Sequence, residues 1–396
     1  MNTLSVQEAQ DLARATRDAC ERLATDERIR EVGFALTDPR RRGFDRRLWQ
    51  VLCSQIGITE IALPAHLGGA GCGSAMLSTV AHELGRCLAP VPLVASLVLA
   101  TGLIADCAGA GKPPLDEGNW TALMKGERTA AAVITTDGGP WSPDAVNIVA
   151  SADGRGDATL TGTGRHVLHA GAADDLVVVA LADGEPAIYL LAADVDGVMI
   201  IPEHVLDATR PMATVHLDRA PAIRLRTERP VHDVIERRIQ HAIAVLSAEQ
   251  VGTTERVLEM SVEYASTRKQ FGRPIGTFQS IKHRCADMLL DLEWSRSASQ
   301  AALQAIDDDP PGSAAESAWR CGMAKAVCSE SLRSVSKQNL QIHGGIGFTW
   351  EHAAHLYLKR ARTDEVLFGT PSVYWDRIAT TAGVFEEKIA ACSTPI

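Results

Sequence analysis

The stretch Arg268-Lys269-Gln270-Phe271-Gly272-Arg273-Pro274-Ile275-Gly276-Thr277-Phe278-Gln279 closes one long helical pattern and opens the next. Ahead of it Ile235, Ile239, Ala242 and Leu246 recur at helical spacing, and behind it Ile281, Cys285, Met288 and Leu292 do the same. The turn between them brings together an arginine suited to a phosphate, an aromatic side chain expected to be buried, and two amides. They surround glycines beside a helix N-terminus, where backbone N–H groups favour anions, so the combination is fit to hold a pyrophosphate. A second segment, Gln341-Ile342-His343-Gly344-Gly345-Ile346-Gly347-Phe348-Thr349, has glycines that permit close approach of backbone to a ligand. Physics alone leaves each segment equally open to being a structural turn.

Working outward, a third helix over about Ala314 to Leu340 is separated from the second by the breaker Asp307-Asp308-Asp309-Pro310-Pro311. Residues 231–396 therefore read as a C-terminal bundle of long helices. Between 127 and 230 the texture is one of short β-branched runs with glycine-rich turns: Ala131 to Thr135, Asn147 to Ala150, Asp175 to Leu181, Ala187 to Leu191 and Val198 to Ile201. Residues 1–126 are again helical in period, with Val80, Leu84 and Leu88 on one stripe of Ser78 to Leu88. The expected class is an α+β chain: an N-terminal helical domain, a middle β-barrel or sandwich domain, and a C-terminal four-helix bundle.

Composition removes several function classes. The 396 residues carry 39 Lys and Arg against 49 Asp and Glu, a formal net charge of −10, with no basic run beyond Arg40-Arg41-Arg42. A nucleic-acid binder that relies on counterion release is not expected. The longest apolar stretch, Leu88 to Ile104, is broken by Pro90 and Pro92 and falls short of the about 20 residues a membrane span needs. It reads as a buried helix starting after Pro92. Met1 to Thr25 has no continuous apolar core of a secretory signal, and the nine cysteines are scattered without C-x-x-C, so a cytoplasmic, reducing location is expected. Gly111-Lys112-Pro113 is no phosphate loop, and neither an H-x-x-x-H pair nor a G-x-S-x-G elbow occurs, so no metal site is expected.

The two glycine-bearing segments, in this order and with this domain layout, resemble the acyl-CoA dehydrogenase family along nearly the whole chain. The family's early motif is similar to Gly57 to Gly71 here, with Leu63-Pro64 and Gly68-Gly69. The resemblance implies FAD as cofactor, an acyl-CoA substrate and an electron-transfer flavoprotein as electron acceptor. It assigns Arg268, Gln270, Phe271 and Gln279 to the FAD pyrophosphate and adenine half. Gln341, Gly344 and Gly345 would reach FAD from a different subunit, Thr370 would sit at the adenine end, and Thr135 on the first flavin strand. Sites that cross a subunit boundary imply an oligomer, either a homotetramer or a heterotetramer with a homologous subunit.

The family reaction takes the α-proton of a CoA thioester onto a carboxylate while the β-hydrogen leaves as hydride to the flavin, so an ionisable base must face the substrate. The usual glutamate stands before the Gly-Thr that is Gly369-Thr370 here, and that position is Phe368. The alternative position on the bundle helix is Ala242. The strand that normally offers Trp-x-Thr or Trp-x-Ser to the flavin edge reads His166-Val167-Leu168, and the first flavin strand reads Ile134-Thr135-Thr136-Asp137-Gly138-Gly139-Pro140-Trp141. The catalytic residue of this chain is thus unknown. The elements lent to a neighbour are kept and those serving the chain's own flavin are altered, which is what the base-lacking subunit of an actinobacterial α2β2 dehydrogenase, acting in fatty acid or steroid degradation, would show.

Other readings remain open: a self-sufficient homotetramer with a base such as Glu249, a flavin monooxygenase offshoot, or a non-catalytic scaffold. Glu249, on the apolar stripe of its helix, is expected in a buried pair with an arginine. Asp364 and Glu365 are expected in a solvent-exposed turn, Glu255 and Glu259 on a solvated helix face, and His343 in a packing or hydrogen-bonding role.

Overall fold

The computed structural model describes residues 6–35, 38–109, 111–135, 137, 139–152, 158–308 and 314–382; Thr136, Gly138, Cys392 and the Asp309-Pro310-Pro311 part of the breaker lie outside them. Helices α1 (Val6–Leu23), α2 (Asp26–Arg30), α3 (Arg46–Val51), α4 (Ile58–Ala62), α5 (Ser74–Arg86), α6 (Gly102–Ala108) and α7 (Glu117–Met124) precede the first strand. The apolar stretch turns helical at Leu93, directly after Pro92, where proline has no N–H to lose from the first turn. The stripe through Val80 and Leu84 lies in α5, but that helix stops at Arg86. Leu88 is buried in a left-handed conformation (φ 53°) beyond it.

The middle region holds β1 (Ala130–Val133), β2 (Val149–Ala152), β3 (Ala158–Leu168), β4 (Asp175–Ala182), β5 (Glu185–Ala192), β6 (Val198–Pro202) and β7 (Met212–Leu225). Pairing runs β2–β3–β7–β5–β4 and returns to β2 through Val149 and Leu181, so the sheet closes on itself as a barrel. Strand β4 is buried on both faces, Leu176 and Val178 pointing into the barrel and Val177 and Val179 toward the helical layer. That double burial is why its sequence is a continuous apolar run rather than an alternation.

The last third contains α8 (Val231–Thr267), α9 (Gln279–Asp308), α10 (Ala314–His343), α11 (Ala354–Val366) and α12 (Pro371–Thr381), with two short strands, β8 (Lys269–Gln270) and β9 (Arg273–Pro274), forming the turn between α8 and α9. The stripe Ile235, Ile239, Ala242 and Leu246 is buried as expected, each large member contributing about 1.5–3 kcal/mol by leaving water. Helix α5 of the first third joins this bundle. A Cβ at Gly85 would fall on the carbonyl oxygen of Glu249, and one at Gly252 on that of His82, so α5 and α8 touch backbone to backbone. Asp307 at the end of α9 accepts the N–H of Ser74 (2.7 Å) and Ala75 (2.8 Å) and so caps α5.

Glu255 and Glu259 depart from the expected solvated face because α5 covers them. Arg86 reaches Glu255 at 3.0 Å and Glu259 at 2.7 Å, and His82 meets Glu255 at 2.9 Å. No helix of the described residues is long and apolar enough to cross a membrane.

Candidate functional site

The 268–279 turn sits at one end of the bundle and faces solvent. Two backbone bonds fix it, Arg268 N–H to Tyr264 O (2.8 Å) and Ile275 N–H to Arg268 O (2.8 Å). Arg268, Gln270 and Gln279 are exposed. Phe271 is 91% exposed, against the expectation of a buried aromatic. Its left-handed backbone (φ 53°) at the tip of the β8–β9 hairpin swings the ring outward, where it meets Phe278 edge-on at 6.1 Å between centroids. The second segment lies at the same end: His343 is buried, bonds Asn339 O through Nδ1 (2.8 Å) and stacks on Tyr264 (4.3 Å). Its packing role is as expected. Gln341 is exposed, and a Cβ at Gly344 or Gly345 would meet nothing within 4 Å. The open glycine surface, the exposed amides, the arginine at the end of α8 and the start of α9 at Gln279 fit a pyrophosphate approaching from outside the chain.

The region that would hold the chain's own flavin ring is different. Thr135, Gly139, His166, Val167, Leu168 and Phe368 converge with Ile239 of α8 on one cavity of only about 50 Å³. Ligand pockets measure about 300–1,000 Å³, so the space between these side chains is small for a tricyclic ring. The physical cause is local. The β3–β7 register shifts between Gly164 and Val167, and His166 turns left-handed (φ 56°) and outward, held by Glu203 through its N–H (3.0 Å) and Nδ1 (2.6 Å). Val167 then packs inside the barrel and Leu168 on the helical side. Phe368, also left-handed (φ 59°), packs against the same core, and its carbonyl accepts the Tyr374 hydroxyl at 2.7 Å. Thr370 stands at the N-cap position of α12 without a side-chain cap bond, its hydroxyl 2.9 Å from that of Ser372. Neither Phe368 nor the buried Ala242 offers an acceptor for a proton.

Behind Phe368 lies a buried charge cluster drawn from the β6–β7 connection, α8, α10 and α11. Glu249 bonds both Arg210 and Arg360, the latter at 2.5 Å. Arg360 also bonds Asp207 (2.5 Å) and the Thr209 hydroxyl (2.6 Å). Glu249 is thus the paired carboxylate expected, engaged by two buried arginines. Asp364 and Glu365 contradict the expected exposed turn: both are buried within α11. Arg210 Nε lies 2.9 Å from Asp364 Oδ1, close enough for an ion pair but aligned too poorly for a hydrogen bond. Desolvation, opposed by Arg210 and Arg360, pushes the Asp364 carboxyl up to about 6. Lys325, buried on α10, donates to Ser329 Oγ (3.0 Å) and to the carbonyls of Asp364 (3.1 Å) and Glu365 (3.0 Å). It satisfies carbonyls left open in the last turn of α11, and burial lowers it to about 8. The readable signal for this lysine was its place on an otherwise apolar helix face, between Cys321 and Cys328; the arginines gave none.

Comparison with known proteins places the chain. Residues 8–110 match the model of the acyl-CoA dehydrogenase N-terminal domain and residues 232–383 that of the C-terminal domain. Acyl-CoA dehydrogenase IpdE2 of Mycobacterium tuberculosis (strain ATCC 25618 / H37Rv) is 33% identical over 331 residues, covering 83% of this chain and 85% of the relative. The ChsE4-ChsE5 complex from Mycobacterium tuberculosis superposes with a TM-score of 0.82 at 28% identity over 100% of both chains. A variant of the Tcur3481-Tcur3483 steroid ACAD gives 0.80 at 27% identity, over 97% of this chain and 99% of that one. With both end domains matched, the chain belongs to the acyl-CoA dehydrogenase family, oxidoreductases acting on CH–CH bonds.

Proposed function

We propose that this chain is the base-lacking subunit of a heteromeric acyl-CoA dehydrogenase, lending Arg268, Gln270, Phe271, Gln279, Gln341, Gly344 and Gly345 to an FAD whose ring and catalytic glutamate belong to a homologous partner. The observation that carries the reading is the contrast between a 50 Å³ cavity at the chain's own ring position and an open, arginine-bearing turn. Distance adds to it. Ile239, beside the closed cavity, and Tyr264, beside the turn, are separated along α8 by roughly 37 Å at 1.5 Å per residue. No single dinucleotide spans that, so the turn serves a flavin in another chain.

The partner's flavin would accept the hydride and pass electrons to an electron-transfer flavoprotein; this chain's residues bind and orient the cofactor's phosphates and move no proton. The likeness to a two-component complex and to a steroid enzyme supports an acyl-CoA with a steroid or other bulky acyl part as substrate. The location that suits this chemistry is the cytoplasm; Thr135 lines the closed cavity and Thr370 stands at the start of α12. The test is flavin content by visible absorbance after purification alone and after co-expression with a family member that carries the glutamate. We expect a colourless chain alone and one FAD per pair of unlike chains together. A yellow homo-oligomer that oxidises an acyl-CoA would overturn the reading.

A further inference from the structure

Helices α8 and α10 both end beneath the two glycine-bearing segments, and one side chain joins the two ends. Tyr264, in the last turn of α8, takes the Arg268 N–H on its backbone oxygen at 2.8 Å. Its ring stacks on His343, the last residue of α10, at 4.3 Å between centroids and 28° between planes. His343 in turn lies 4.4 Å from the ring of His352, which follows the Gly344–Phe348 turn. Tyr264 also shares one apolar cluster with Ile275 of the first segment and Ile342 of the second. One turn earlier on each helix, Ser261 Oγ donates to Asn339 Oδ1 at 2.8 Å, and both residues are fully buried. Apolar contacts alone let two helices slip past each other, whereas a buried polar pair permits one register. The Asn339 carbonyl can only accept, so His343 carries its proton on Nδ1. Burial lowers the pKa of that imidazole and keeps the stacked ring neutral at neutral pH.

We infer that Tyr264 and His343 are positioning residues: their stack, registered by Ser261 and Asn339, fixes the separation between Arg268 and the Gly344-Gly345 backbone so that both engage one pyrophosphate. The need for such a ruler is electrostatic. Two helices present their C-terminal ends here, and the open carbonyls of such ends repel a phosphate. A slip of one residue along either helix, about 1.5 Å, would bring a carbonyl to where a donor is required. Gly344 and Gly345 have open space around them, so their place is set from beneath. The inference rests on the reading that these segments serve an FAD shared with a partner chain, and it assigns neither ring a contact with the cofactor.

The experiment is titration of FAD into the co-purified assembly with its glutamate-bearing family member, after the flavin has been stripped. Wild-type assembly that takes up no FAD would remove the shared-site reading and this inference with it; with FAD bound, the variants decide this inference alone. Tyr264→Leu and His343→Leu, which keep apolar bulk but lose the stack, should each weaken FAD binding about three- to tenfold. Tyr264→Phe, which keeps two facing rings, should stay within about twofold of wild type. Arg268→Ala should lose at least about threefold less affinity on the Tyr264→Leu background than on the wild type, because an arginine already misplaced has less to give up. Thermal melting identifies a variant that is unfolded, and the other leucine variant then carries the test. Additive losses, unaltered affinity in a folded leucine variant, a loss in Tyr264→Phe equal to that in Tyr264→Leu, or unfolding of both leucine variants would each overturn the inference, the last by making the stack a support of the fold.

Discussion

The 268–279 turn and the cradle around Leu168 and Phe368 correspond to two parts of one family's flavin machinery, yet in this chain one lies bare and the other is packed shut. The bare part keeps its arginine, amides and glycines although almost nothing inside the chain touches them. The shut part has exchanged a hydrogen-bonding strand residue for Leu168 and a carboxylate for Phe368, and is braced by the charges behind it. On the proposed reading, the residues that serve another molecule are those with few contacts in their own fold, and the positions that would serve the chain's own chemistry are packed into its core.

The severest test of the shut half is Glu249→Ala. Removing the carboxylate shared by two buried guanidinium groups leaves Arg360 with Asp207 and Arg210 with Asp364 but strips one buried hydrogen-bonded partner from each, and should cost about 3 kcal/mol, read as a lower urea midpoint. If Glu249 were instead a catalytic base in solvent reach, stability would barely change. On the bare half, Arg268→Ala in the co-purified assembly should weaken FAD binding about 10- to 100-fold, the worth of one or two charge-assisted hydrogen bonds. Phe368→Ala in the same assembly should leave flavin content unaltered, and equal losses from both changes would erase the contrast drawn above.

Acid separates the inner charges from the outer ones. Asp364 is raised to about 6 from an ordinary 3.8, so the folded state holds that proton more tightly than the unfolded chain. Stability should therefore rise, on the order of 1 kcal/mol, as pH falls from 7 to 5. Glu83, lowered to about 2 by His82 and Arg17 in spite of burial, and Glu255, lowered to about 2 chiefly by His82, work the other way. They lose their contribution as pH falls from about 4.5 toward 2, so urea midpoints at pH 7, 5 and 3 should rise and then drop. The mildest change is Gly345→Ala. With open space around it and no left-handed backbone, stability should stay within about 0.5 kcal/mol, while FAD affinity in the assembly falls a few-fold.

Much of this was legible in the chain. Helix stripes, the break after Pro92 and strands β1, β4 and β5 follow from periodicity, because one face or both are dry; β2 begins two residues later than expected and is largely exposed. The two longest strands, β3 and β7, were not legible. Strand β3 reads Thr-Gly-Thr-Gly across its middle and bends at Gly162 and His166, while β7 contains Arg219 at φ 51° and Pro221, so neither forms an apolar run. Charged side chains were the other blind spot. Whether Asp364 meets water or Arg210 depends on a loop remote in sequence, and Phe271 stands out because of one backbone angle that no composition reveals.

The backbone contact of α5 with α8 through Gly85 and Gly252 ties together segments on either side of the barrel. During synthesis, α5 leaves the ribosome about 150 residues ahead of the helix it must meet, a wait of roughly 7–30 s at about 5–20 residues per second. Through that interval the flank that meets α8 lacks its native cover, so nascent protein is most vulnerable to chaperone capture and self-association just before α8 emerges.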